Sequence, residues 1–255
     1  GTPLPPSTPP GGLHTLLNPE HREPFANYGS TTSWDVFLDG TWRAPPSLEL
    51  SAGLRATWEK QTAGYQGFAG NAPTLFNGLG AGAPAPLMGN NILNSATAGK
   101  LERSENFGSV VGRVAARYVF SPTLSGFATV SRGRRPNVID ITPQGSQVLP
   151  AEIVNSYEIG LKGGTAGGRL AYDVSAYWYD YSDFQTQIPN PSGGAPFLIP
   201  TNGGSATAKG IEASITGEVA DGLVLFANYA WTHARFDDRD DDGNAQRYAG
   251  HRFRL

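Results

Sequence analysis

The sequence contains no cysteine, which removes a disulfide framework and any thiolate metal site from consideration. Charge is sparse. Asp, Glu, Lys and Arg make up 16% of the residues, with a net charge of −3 and a pI near 5.8. That balance leaves no basic footprint, so nucleic acid is not an expected partner. No run approaches the ~18 consecutive apolar residues of a membrane-spanning helix. The opening Gly1-Thr2-Pro3 has neither the basic region nor the apolar stretch of a signal peptide. His14, His21, His233 and His251 fall in separate segments without ligand spacing, and they read as surface or rim residues. No serine has a paired histidine, so no enzyme activity and no cofactor is expected. What is abundant is glycine and proline, 33 and 20 residues, which argues against a helical protein. A soluble β protein and a membrane β-barrel both survive this screen, because barrel strands are only half apolar.

Alternation separates the two. From Leu48 the even positions read Leu48, Leu50, Ala52, Leu54, Ala56, Trp58, and the odd ones Glu49, Ser51, Gly53, Arg55, Thr57, Glu59. Side chains alternate across a strand, so this segment has one apolar and one charged face. Before it, Trp34, Val36, Leu38 and Trp42 oppose Asp35, Asp39, Thr41 and Arg43, across a turn at Ala44-Pro45-Pro46-Ser47. Ile153, Tyr157, Ile159 and Leu161 oppose Glu152, Ser156, Glu158 and Lys162; Ile211, Ala213, Ile215 and Val219 oppose Glu212, Ser214, Thr216 and Glu218. Segments around Val110–Phe120 and Leu170–Trp178 are noisier but legible. Leu124–Gly133 and Leu223–Ala234 alternate less cleanly, with Phe127 and Phe226 on the more polar face. The reading is eight strands plus the start of a ninth at His251–Leu255.

Connection lengths are sorted as well. Short links near 44–47, 121–123, 163–168 and 220–222 alternate with long ones near 66–106, 134–151, 186–208 and 237–249. All tight ends therefore fall on one side, the asymmetry of outer-membrane barrels with short periplasmic turns and longer external loops. Trp34 and Trp42 share a face eight residues apart, about 20 Å along the membrane normal at ~3.3 Å per residue and a ~40° tilt. Folding that hairpin at its turn sets Trp58 beside Trp34 and Leu50 beside Trp42. Trp34, Trp42, Trp58, Trp178 and Trp231 are the expected membrane girdle, in contact with outer-membrane lipid and lipopolysaccharide.

Four stretches resemble the C-terminal barrel half of TonB-dependent receptors. Ser131-Arg132-Gly133-Arg134-Arg135-Pro136 is similar to a family segment that carries an aromatic where Arg134 stands. Leu149-Pro150-Ala151-Glu152, continuing to Ser156-Tyr157-Glu158-Ile159-Gly160-Leu161-Lys162, resembles a family strand. So do Ala208-Lys209-Gly210-Ile211-Glu212 with Asn228-Tyr229-Ala230-Trp231-Thr232-His233-Ala234, and Gly250-His251-Arg252-Phe253. The resemblance implies an all-β, antiparallel transmembrane barrel of 22 strands. This chain would be a fragment of about nine, one partial barrel domain over residues 1–255 without the plug domain and the last strands. It implies active transport of a ferric siderophore or similar large ligand across the bacterial outer membrane. The energy would come from the TonB complex through an N-terminal box that this chain lacks. A passive porin and a small structural or adhesive barrel are the alternatives, and a soluble β-rich binding module is a more distant one.

Three local groups are candidate sites. Arg132, Arg134 and Arg135 form a basic cluster at the outer mouth, suited to an anionic ligand, or to lipopolysaccharide or the acidic loop. Tyr177, Tyr179 and Tyr181 share a face toward the lumen, where they stack on a ligand or pack against the plug or loops. Asp238, Asp240 and Asp242 followed by Gly243 resemble the start of a calcium loop. The twelfth position is Ala249 rather than glutamate, so a solvated acidic tip is the favoured reading and no metal is expected. The glycine pairs at 163–164 and 167–168 read as turn residues, and the proline-rich start as part of an external loop.

Overall fold

The computed structural model describes residues 21–44, 46–71, 91, 94–189 and 198–253. The proline-rich start, His14 and Leu255 lie outside them. The described residues form an antiparallel sheet of eight strands and two small hairpins, with no helix. The sheet order is β1 (Phe25–Ala44), β2 (Leu48–Gly67), β3 (Leu101–Ser121), β4 (Leu124–Arg135), β7 (Glu152–Gly164), β8 (Leu170–Ser182), β11 (Ala206–Ala220) and β12 (Leu223–Phe236). Each of these strands pairs with its nearest sheet strand in sequence, so the sheet is an uninterrupted meander and an open segment of barrel wall. The start of a ninth strand is present as a bridge between Arg235 and Arg252.

The tight ends gather on one side as expected, with only residues 45–47, 122–123, 165–169 and 221–222 between paired strands. Gly168 and Gly222 close two of these turns at φ 70° and 76°, conformations that cost a Cβ-free residue little. Trp34 pairs with Trp58, and Trp42 with Leu50.

The pairing carries a stagger. A hydrogen-bonded row that starts at Ala44 beside the first turn passes through Leu48, Tyr118, Gly126, Leu161, Val174 and Ala213. It reaches Tyr229, six residues up from Leu223, where β12 begins. Six residues at ~3.3 Å against seven strand spacings of ~4.8 Å is a tilt of about 30°, close to the ~35–45° of closed barrels.

Two features were not expected from sequence. The strands β1, β2 and β3 run to 20, 20 and 21 residues and rise well above the row of Trp34, Trp58 and Gly108. Two of the long connections also contain hairpins, β5 (Val138–Thr142) with β6 (Gly145–Leu149) and β9 (Gln185–Pro189) with β10 (Leu198–Asn202). Burial is concentrated at the loop end of the wall, as at Tyr65, Leu149, Ala206, Ala208, Ala234 and Phe236.

Candidate functional site: the outer mouth and the inward wall

Register pairs share a face, so the whole wall can be sorted into two sides. One side carries Trp34, Leu38, Leu54, Val114, Val130, Ile159, Val174, Ile215 and Trp231, all largely exposed, with Leu38 at 77%. From the turns up to the tryptophans this side holds one charged residue among the described positions, Arg132, in the row of Leu38, Leu54 and Gly112. Trp34 and Trp58 lie ten residues above their turn, and Trp178 and Trp231 eight above theirs, while Trp42 is two from its turn. The apolar band they bracket is about 25 Å tall at this strand rise and tilt.

The other side is polar and internally paired. Arg55 Nε donates to Asp35 at 2.9 Å, with the Thr57 hydroxyl on the same carboxylate at 2.5 Å. Arg113 reaches Asp39 at 3.3 Å, and Lys162 reaches Asp173 at 2.8 Å. Glu158 and Glu212, which flank Tyr179, have no ion-pair partner among the described residues. Phe127, on the polar side, lies over Gly160, where a Cβ would stand 2.6 Å from its ring; this explains both the broken alternation and the glycine.

Tyr177, Tyr179 and Tyr181 are on this inward side, opposite Trp178, and form a continuous column. Tyr177 and Tyr179 stack at 4.8 Å, and Tyr179 and Tyr181 meet edge-on at 6.5 Å. The column continues through Phe184, Phe236 and Phe253, with ring centroids 4.7–6.0 Å apart. On β11 the facing positions are Ala206, Ala208 and Gly210, paired with Tyr181, Tyr179 and Tyr177. The rings lie along this small-residue groove, and a Cβ at Gly210 would collide with the Tyr177 hydroxyl, which is hydrogen-bonded to Thr232 at 2.6 Å.

The structure separates the three arginines. Arg132 is on the outward side and donates to Asn155 at 3.2 Å. Arg134 turns inward and makes a short, buried ion pair with Glu59; both side chains are 7% exposed, with Ser109 at 2.5 Å and Asn137 at 3.3 Å. Arg135, 60% exposed at the mouth, lies 3.8 Å from Glu152 and donates to the Gln185 carbonyl at 3.2 Å.

Sequence reasoning missed the residues that hold the loops. Gln185 is buried and donates through Nε2 to the carbonyls of Pro136 and Pro150 at 2.9 and 2.8 Å, fastening the β5–β6 connection to the β9 connection. Gln147 then donates to Pro200, so the two hairpins touch. Gln246 donates to the carbonyls of Ser205, Asp237 and Arg239 and accepts from the Ser205 amide, closing the acidic loop onto the wall. In that loop Asp240 accepts the amides of Asn244 at 2.7 Å and Asp242 at 3.1 Å. These bonds, that of Asn244 foremost, hold its carboxyl below the usual value. Among the described residues no set of three or more His, Asp or Glu side chains converges as metal ligands, and Asp238, Asp240 and Asp242 are not such a set.

A family model described as "TonB dependent receptor-like, beta-barrel" matches residues 2–255. This chain belongs to that family. It is a piece of the wall of an outer-membrane β-barrel. Among curated relatives, the ferric-pyoverdine receptor PbuA of a Pseudomonas species is 27% identical over 139 residues, 54% of this chain and 16% of that protein. The ferric-pyoverdine 358 receptor of Pseudomonas putida is 30% identical over 107 residues, 41% of this chain and 12% of that protein. Among solved structures, the ferric yersiniabactin uptake receptor FyuA of Yersinia pestis aligns with a TM-score of 0.67 at 18% identity, over 90% of this chain and 30% of that one. The ferric-catecholate import receptor Fiu of E. coli, in its closed form, aligns at 0.58 and 15% identity over 86% and 30%. The structures share the fold, and the chain spans less than a third of each of these proteins.

Proposed function

We propose that this segment forms part of the wall and outer mouth of an active-transport receptor for a ferric siderophore or similarly large ligand, energised through TonB. The observation that carries the reading is the inward aromatic column from Tyr177 to Phe253, which runs up the wall into the folded loops. Rings in a row offer a ligand successive stacking surfaces. Arg135 supplies a cation at the mouth beside the top of that column, whereas the Arg134 guanidinium is occupied by Glu59. Glu158 and Glu212 leave uncompensated negative charge beside Tyr179, suited to a cationic group on a luminal plug domain or a passing ligand. Trp34, Trp58, Trp178 and Trp231 anchor the outer interface and Trp42 the inner one.

The test is uptake of siderophore-bound radiolabelled iron by cells whose only such receptor is the full-length protein. The expected result is uptake that requires TonB and falls about tenfold on Tyr179→Ala with Tyr181→Ala, roughly the loss of ~1.4 kcal/mol of stacking. Uptake independent of TonB would favour the passive channel, and unchanged uptake by the double variant would remove the column from the ligand path.

A further inference from the structure

Just above the outward tryptophans, the apolar side changes character on three neighbouring strands. Lys209 on β11 lies in one hydrogen-bonded row between Trp178 and His233, with its Nζ 5.1 Å from the centre of the Trp178 ring. His233 stacks on Trp231 at 6.2 Å and an interplanar angle of 20°. Two residues higher, Arg235 Nε donates to His233 Nε2 at 2.7 Å, and Arg235 is bridged to Arg252 on the chain returning from the loop. An imidazole nitrogen that accepts this bond carries a lone pair, so the ring is neutral.

Three cations thus share a small area, and none has an acidic partner within 4.0 Å among the described residues. The nearest acids form a separate group: Asp180 lies one strand beyond Thr207 in the Arg235 row, Asp237 accepts the Thr207 hydroxyl and Asp241 the Ser205 hydroxyl, both at 2.8 Å. On the inward side the exposed cations Arg55, Arg113 and Lys162 each have a carboxylate. Cations crowded beside a neutral histidine, with no carboxylate in contact, gain from an anion supplied from outside. On this side, at this height, the surroundings are the headgroup layer of the outer leaflet. Lysine and arginine there keep their stems on the aromatic belt and their charges in the polar layer.

We propose that Lys209, Arg235 and Arg252, with neutral His233 between them, bind the phosphate groups of an outer-leaflet lipid, whose apolar part packs along Trp178 and Trp231. Charge-assisted bonds from two guanidinium groups and an ammonium suit a phosphate. The inference rests on the outward side and on the outer-membrane location, and is independent of what the lumen carries.

The full-length receptor in phosphatidylcholine nanodiscs, given bis-phosphorylated lipid A as the probe, is the test, with retained lipid counted by native mass spectrometry. The expected result is retention that falls at least tenfold on replacing Lys209, Arg235 and Arg252 together by Gln. Dephosphorylated lipid A should be retained weakly and equally by both forms. A charge-matched replacement of Arg43, Lys162 and Arg169 by Gln should leave retention unchanged. Folding of each variant is verified by heat-modifiable migration. The single Lys209→Gln change, at an exposed side chain, is expected to weaken retention about threefold even if the triple variant does not fold. Equal retention by wild type and either variant, or equal retention of phosphorylated and dephosphorylated lipid by wild type, would overturn the proposal.

Discussion

On β7, Ile153, Tyr157, Ile159 and Leu161 face outward while Ser156, Glu158, Gly160 and Lys162 face inward, and the same division extends through the sheet from β1 to β12. The two sides share one backbone and one set of hydrogen bonds, so the difference lies wholly in what each side meets. Outward, the side chains of the band are apolar apart from Arg132 and its partner Asn155, and the glycines and alanines among them sit between larger neighbours. Inward, charges occur on nearly every strand and most are paired across one strand spacing. A soluble sheet also has two unlike sides, but its apolar side is covered by a second layer. Here Trp34, Val36, Leu38 and Ile159 remain mostly exposed with nothing folded over them, and hydrocarbon is the medium that stabilises such a surface.

Breaking the inward pairing should show the largest effect where the loops have closed over it. Arg134→Met leaves Glu59 buried without its counter-ion and is expected to cost about 3–5 kcal/mol in urea unfolding of the membrane-inserted protein. The exposed pair gives the contrast, since Arg55→Gln should cost less than about 1 kcal/mol. Equal costs would mean that the loop end is not an interior.

The next largest effect compares the two sides directly. Ile159→Arg places a charge in the apolar band and should cost about 2–4 kcal/mol, the range for arginine at the lipid midplane. Thr129→Arg, next in the chain to Ala128, the register partner of Ile159, but on the opposite side, should be within about 0.5 kcal/mol of wild type in the same assay. Similar losses at both positions would contradict the assignment of sides.

The smallest effect lies outside the membrane. The Asp240 carboxyl is held below its usual value by amides of its own loop, chiefly that of Asn244. A lowered carboxylate contributes order above its unfolded value near 3.8 and loses it as pH falls through the lower folded value. A spin label at Asp238 should therefore become more mobile below about pH 4. Asp240→Asn should make the label mobile at every pH, and a pH-independent label in the wild type would show that the carboxylate does not organise the loop.

The strands, their sides and the sorted turns were legible because lipid imposes a two-way choice at every residue of the band. Above the band that choice disappears. The upper halves of β1, β2 and β3 carry Asn27, Gly29 and Thr31 or Gln61 and Ala63, where neither side meets hydrocarbon, so no alternation marks them as strand. The hairpin strands of five residues in the loops are equally unmarked. Gln185 and Gln246 look like any loop glutamine until the fold brings three carbonyls or two proline carbonyls around one amide. Arg134 looked like a mouth cation because its sequence neighbours are arginines, but its distance from Glu59 is set by three strands of register. One legible feature went unread: three tyrosines at every second residue on β8 and Ala206, Ala208, Gly210 at every second residue on β11 are the two halves of one packing surface.

The central claim is that one side of these strands meets lipid and the other the lumen. The absence of cysteine from the segment makes it directly measurable, since each introduced thiol along β7 is the only one this segment contributes. Single cysteines at positions 153 to 162 would be reacted in intact vesicles with a lipid-soluble and with a water-soluble maleimide. The account predicts a period of two, with positions 153, 157, 159 and 161 taking the lipid-soluble reagent and 156, 158, 160 and 162 the water-soluble one. Labelling without that alternation, or with the two reagents exchanged, would contradict it.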